Sequence, residues 1–104
     1  MIVTMGEAVP GRQVAEIIDT VRGNTVRTRF FGRDIMAALR NLVGGEVPEY
    51  TKLMAEAREQ AIDRMIADAQ AKGADAVISM RVTTSMIMGG SAELLAYGTA
   101  VRLS

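Results

Sequence analysis

The chain has 104 residues, twelve of them basic and twelve acidic, and it contains no cysteine, histidine or tryptophan. That length holds one domain around one core. The cancelled charge and only two Phe and two Tyr speak against a nucleic-acid surface, which needs basic groups and usually aromatic platforms. Disulfides and thiolate metal sites are excluded outright.

Hydrophobic residues make up 49% of the chain and include eight methionines, so the core is aliphatic and methionine-rich. The longest weakly charged run, Ala76 to Tyr97, is broken by Arg81, Gly89-Gly90 and Glu93, and does not read as a membrane span. No basic-plus-apolar leader opens the sequence, so the expected compartment is the cytoplasm.

In chain order, a short apolar lead (Ile2, Val3) ends at Pro10-Gly11, a turn signal. Gln13 to Val26 is rich in Val, Ile and Thr and reads as strand. Gly23-Asn24 inside it admits two readings, a hairpin turn or a bulge in one long strand. A helix is expected from Arg33 to Val43, with Ile35, Leu39 and Leu42 on one face and Gly44-Gly45 as its stop. That glycine pair is no phosphate cradle, because no strand feeds it and no lysine follows.

The dominant element is a second helix, Tyr50 to Lys72, entered at Pro48-Glu49 and closed by Gly73. At ~100° per residue, Tyr50, Leu53, Met54, Ala57, Ala61 and Met65 share a face that Ile62, Ile66 and Ala69 widen. The stripe is broader than one buried side requires, which predicts apolar area left over for copies of the same chain. At ~34 Å the helix is also expected to outrun the sheet.

Ala74 to Met88 and Ser91 to Leu103 then form a hairpin across Gly89-Gly90. A two-residue loop sets Ile78 opposite Val101, Val82 opposite Tyr97 and Thr84 opposite Leu95, giving one apolar face. The reverse face carries Ser79, Arg81, Thr83, Ser85, Ala96, Gly98 and Ala100, small or polar and flat enough for another subunit.

Three constellations have a chemical reading beside an ordinary one. Glu56, Glu59 and Asp63 fall on one side of the long helix, where they could loosely hold a hard cation or simply face water. Met80, Met86 and Met88 share a strand face and could offer thioether sulfur to Cu(I), but methionine is also the adaptable filler of cores. Arg58 falls between Met65 and Ala69 on the apolar stripe, so it needs an acid such as Asp34 or Asp75, or an anion. No serine has a histidine to activate it, so catalysis is not expected.

Pro10-Gly11, the Gly23 strand, Arg33-Asp34, Arg40, Val43-Gly44-Gly45, Tyr50, Ala57-Arg58, Ala61, Gly73-Ala74-Asp75-Ala76-Val77 and Gly98-Thr99-Ala100-Val101, taken as an ordered set, resemble the YbjQ-like family. That family is labelled a "putative heavy-metal-binding domain". The resemblance implies an α+β, dodecin-subunit-like fold, with an antiparallel sheet packed on one side by a long helix beside a shorter second one. It implies a ring homopentamer in which short extra strands help assembly, and a bent continuous strand at Gly23. It also gathers Arg33, Asp34, Arg40, Tyr50 and Arg58 into a polar pocket near Gly44-Gly45. Where relatives often carry acids along Ser79 to Ser85, this chain has Arg81, Thr83 and Ser85 at the outward positions. The expected function is a non-enzymatic, self-assembling module, without cofactor, nucleic acid or membrane. The alternative is a binder of a small ligand or metal ion.

Overall fold

A computed structural model of the chain describes residues 1–27, 48–87 and 91–104. The helix expected at Arg33 to Val43, and its glycine stop, lie outside the described residues. The described elements are strand β1 (Ile2–Val3), strand β2 (Val14–Arg27), helix α1 (Pro48–Ala71), strand β3 (Ala76–Ile87) and strand β4 (Ser91–Leu103). The strands form one sheet in the order β1-β3-β4-β2, backed by α1. The sheet is mixed rather than antiparallel, because β1 runs parallel to β3.

Val14–Arg27 is a single strand with no hairpin, and Gly23 and Asn24 pair regularly with Ala96 and Leu95. Its irregularities fall earlier, between Val14 and Glu16 and between Ile17 and Asp19. Gly23 is needed for closeness, not for a bend. A Cβ there would overlap the Ala61 carbonyl oxygen and the Met65 amide nitrogen, and would lie 2.7 Å from the Arg64 Cβ. The helix therefore rests directly on the backbone of β2.

That contact decides which sheet face is inside. Ala57, Ala61, Met65 and Ala69 are fully buried along α1, and Val21, Val77, Ala96 and Ala100 are fully buried beneath. The small-residue face expected to meet a neighbouring subunit thus splits: Ala96, Gly98 and Ala100 turn to the helix of their own chain. Small side chains on both layers allow the close approach that Gly23 requires.

The hairpin register also differs from the expectation. Ile87 pairs with Ser91 and Val82 with Ala96, so three residues, not two, separate the strands. A further shift between Ile78 and Arg81 sets Ile78 opposite Thr99. Ser79 takes a positive φ of 53° there, and its amide donates to the Gly6 carbonyl at 2.8 Å. Opposite this bulge a Cβ on Gly98 would lie 2.6 Å from the Val77 Cγ1.

Two turns follow the sequence closely. Arg12 donates its amide to the Val9 carbonyl at 3.1 Å, with Gly11 at φ 78°, so Pro10-Gly11 make a type II turn. The helix ends in a Schellman motif: Ala74 donates to the Ala69 carbonyl, Gly73 to that of Gln70, and Gly73 has φ 78°. The strands, not the helix, set the length. At ~3.4 Å per residue β2 outruns α1, and the molecule extends 55 × 24 × 16 Å.

A polar row fixes α1 against the free edge of β2. Residues two apart on an edge strand turn their backbone groups the same way. On β2, Thr20 and Asn24 offer carbonyls to Lys72 Nζ (3.4 Å) and to the Arg64 guanidinium (2.6 Å), while the Arg22 amide donates to Asp68 Oδ2 (3.2 Å). The Arg27 guanidinium donates to Gln60 Oε1 at 2.8 Å. Gln60, Arg64, Asp68 and Lys72 are four apart, one helical turn each, so a single row of side chains closes the edge. Lys72 also pairs with Asp19 (3.2 Å) and Asp68 (3.5 Å).

Two outcomes follow. Gly23→Ala should cost roughly 3 kcal/mol in urea unfolding, the upper end for overpacking, because backbone has to move. Gly6→Ala, where a Cβ meets nothing nearer than 3.6 Å, should stay within about 0.5 kcal/mol. The side-chain hydrogen bond between Asp19 and Lys72 holds the Asp19 carboxyl below its ordinary 3.8 and the Lys72 ammonium above its ordinary 10.5. The Asp19 contribution is full above pH 3.8 and lost as pH falls through the lowered folded value; that of Lys72 is full below pH 10.5 and lost as pH rises through the raised one. Asp19→Asn should therefore lower Tm slightly at neutral pH, and the two melting curves should converge in strong acid and in strong alkali.

Candidate functional site

The exposed side of α1 meets the end of β2 in an open groove of about 610 Å³. Arg27 comes from the strand, and Lys52, Glu56, Arg58, Glu59, Gln60 and Asp63 from the helix. Its position follows from the polar row: Gln60, held by Arg27, is the last member of that row and the first wall of the groove. Three cations and three carboxylates line it, and all three carboxylates are exposed. Balanced formal charge at solvent-exposed positions gives no strong net pull on an ion of either sign.

Arg58 does not lie on the buried stripe. The contact line drifts ~40° around the axis with every four-residue step, passing through Ala57, Ala61, Met65 and Ala69. The azimuth of Arg58 becomes the sheet-facing one only two turns later, so at its own level it projects into the groove, exposed. Asp75, a suggested partner, is otherwise engaged: its Oδ2 accepts the Leu103 amide at 2.9 Å and holds the end of β4. Of the polar pocket implied by resemblance, Arg33, Asp34 and Arg40 lie outside the described residues, and Tyr50 is placed only as backbone of α1.

The carboxylates Glu56, Glu59 and Asp63 do share one side of the helix, as their spacing requires. Among the described residues no three Asp or Glu side chains converge to hold a metal ion. The methionines do no better. Met80 packs on the core, while Met86 is exposed six residues further along β3, about 20 Å away at strand rise. Two thioethers so placed cannot share an ion, and Met88 lies outside the described residues. With no cysteine or histidine in the chain, the described donors do not fit a heavy metal, which prefers sulfur and nitrogen ligands.

Sequence reading missed Arg27 and Lys52 as groove residues. Lys52 reads as an ordinary solvated helix position, and nothing in the sequence links Arg27 to a helix 33 positions later. That link exists because β2 passes under α1 at Gly23. Among the described residues no helix is long and apolar enough to cross a membrane.

The comparisons with known proteins agree on fold and kinship. A protein of unknown function from Pediococcus pentosaceus, assigned to the DUF74 family, superposes with a TM-score of 0.72 over 100% of this chain and 98% of its own, at 15% identity. That establishes the α+β fold. A UPF0145 protein of Archaeoglobus fulgidus is 57% identical over 103 residues, covering 99% of this chain and 95% of its own. One from Halorubrum lacusprofundi is 60% identical over 97 residues, covering 93% of each, and one from Shewanella frigidimarina is 52% identical over 99% of this chain and 96% of its own. These names carry no enzymatic activity. The match to the YbjQ family, described as "Putative heavy-metal-binding", runs over residues 1–104, and the chain belongs to that family.

Proposed function

We propose that this chain is a non-enzymatic module whose working form is a ring of five copies, with a structural or interaction role. The observation that supports it is surface. Among the described residues one helix backs the sheet, and it covers only one of the two sheet faces. Such a sheet has a second face and edges that a neighbouring copy would cover. The number five, and the dodecin-like comparison, come from the family resemblance.

The wide helical stripe is a weaker support than the sequence suggested. Ile62 and Ile66 are half-buried against the chain's own core, beside Met80 and Val82. Among the described residues, exposed apolar side chains lie instead on the strands, at Ile2, Val14 and Ile17, and at Met5 just after β1.

A second reading, a small-ligand or hard-cation binder, draws on the groove between Arg27 and α1 and on the family's description. It would use Arg58 with Glu56, Glu59 and Asp63, or polar residues contributed across a subunit boundary. Heavy metals are not part of it, for want of sulfur and nitrogen donors.

Native mass spectrometry of untagged protein at micromolar concentration should give five times the 11.2 kDa chain mass; a monomer would remove the first reading. Melting scans with calcium, magnesium or phosphate address the second, since a ligand of the folded state raises Tm. A rise that Arg58→Ala or Glu59→Gln abolishes would favour it, and unchanged curves would leave it without support.

A further inference from the structure

The face of the sheet turned away from α1 carries a chemistry of its own. On β2 the inward positions are Val21, Gly23 and Thr25: Gly23 lies against the helix backbone, and the Thr25 hydroxyl donates to the Ala57 carbonyl at 2.9 Å. Side chains alternate along a strand, so Thr20, Arg22 and Asn24 point to the other side, where all three are exposed. Register then fixes their neighbours. Arg22 pairs with Tyr97 and Tyr97 with Arg81, so one cross-strand row reads arginine, tyrosine, arginine. Directly paired residues share a side of the sheet. The rows flanking this one are Thr20, Thr99, Ile78 and Asn24, Leu95, Thr83.

Tyr97 is half-buried between two exposed arginines. Among the described residues neither arginine is in an ion pair, because the bridges there use Lys72 and Arg102 as their cations. Asp19 and Glu16, the acids of β2, are partners in those bridges. On the outer face the described strands carry one carboxylate, Glu93, which is four residues from Tyr97 along β4, about 14 Å at strand rise. The two arginines are held differently. Arg81 is fixed, since its Nη1 donates to the carbonyls of Met5 and Met80, both at 2.8 Å, and its other donors make no hydrogen bond among the described residues. Arg22 has only its amide engaged there, by Asp68. A chain with no net charge thus has a positive strip with an aromatic ring at its centre.

We propose that this strip binds a nucleoside phosphate, with the base lying on Tyr97 and Leu95 and the phosphate taken by Arg81 and Arg22. The planar guanidinium fork matches phosphate oxygens two at a time, and a base of any kind stacks on an aromatic face. Thr20, Asn24 and Thr83 offer hydrogen-bonding groups at the rim. The two arginine Cα atoms are two strand spacings apart, about 10 Å, which suits a ligand with a ring and a charged end over a compact ion that leaves Tyr97 unused. One aromatic platform suits a single nucleotide and not a strand of nucleic acid, which needs repeated platforms. The exposed Ile2 and Ile17 belong to the row through Val101, four residues from Tyr97 in the other direction, so the site does not rest on the ring. Nor does it rest on the groove beside Arg58, which opens on the helix side.

The test titrates the full-length protein at low salt with adenosine monophosphate, inorganic phosphate and adenosine, read by calorimetry. The monophosphate should bind more tightly than either of the other two. Arg22→Gln, at an exposed position, should keep the wild-type melting curve and weaken the monophosphate about tenfold, the loss of one charge-assisted contact. Tyr97→Leu should bring the monophosphate down to the affinity of inorganic phosphate, and Tyr97→Phe, which keeps the ring, should not. Where Tyr97→Leu fails to fold, Arg22→Gln decides. Arg58→Ala should leave all three titrations unchanged. A wild type that does not bind the monophosphate, or an Arg22→Gln variant that binds it as tightly as wild type, would overturn the assignment. Binding lost in Arg58→Ala and kept in Arg22→Gln would overturn it in favour of the groove.

Discussion

The contact between the backbone of β2 at Gly23 and the backbone of α1 at Ala61 to Met65 governs the rest of this structure. Helix and sheet meet at a distance that no side chain on Gly23 allows. Many positions on the interface are correspondingly small, Ala57, Ala61 and Ala69 above and Ala96 and Ala100 below, with Met65, Val21 and Val77 as the larger fillers. Dispersion contacts at such a junction are individually weak and collectively large. The polar row from Gln60 to Lys72 is possible only because the helix lies this low over the edge strand.

A helix seated so far to one side covers β2 well, β4 less and β3 least. Among the described residues the consequence is a sheet with one helical layer, and the molecule measures 16 Å in its smallest dimension. Part of the far face is closed by the N-terminal segment, where Val9 covers Ala76, Ile78, Val101 and Leu103. The same segment is stitched to the β3 bulge: Thr4 donates to Val77, Met80 to Thr4, and the Arg81 guanidinium to the Met5 carbonyl. Among the described residues the two sheet edges differ: one is blunted by bulges and the other is only two residues long. Both are devices by which sheets limit indiscriminate pairing, and both still leave an isoleucine exposed.

Local signals in the sequence were sufficient where the physics is local. Pro10-Gly11 specified its turn, Gly73 its helix end, and Pro48 a helix start, because each depends on one or two backbone angles. The long helix and the three long strands were legible from periodicity. Register was not, because the extra residue at Ser79 and the third loop residue each shift the pairing by one and change every partner. The inward face of β4 was misread for a related reason. Alanine and glycine at 96, 98 and 100 look like a surface unless one knows that a helix backbone comes down on them. Gly23 carried that information but is equally a turn or bulge signal in isolation. Arg58 was misplaced because a helix crossing a sheet uses a drifting line rather than a fixed stripe. For the candidate site, spacing correctly put Glu56, Glu59 and Asp63 together. It could not supply Arg27, which the fold adds from a distant strand and which helps neutralise them.

The proposed self-assembly would cover strand surface that the described residues leave exposed. Amide hydrogen exchange of wild-type protein, compared at high and at dilute concentration, tests it most directly. Under self-assembly, amides in Ile2 to Gly6 and Val14 to Asp19 should lose protection on dilution, while those of Ala57 to Ala69 and Val21 to Thr25 keep theirs. Exchange at both edges that is fast and the same at every concentration would contradict it.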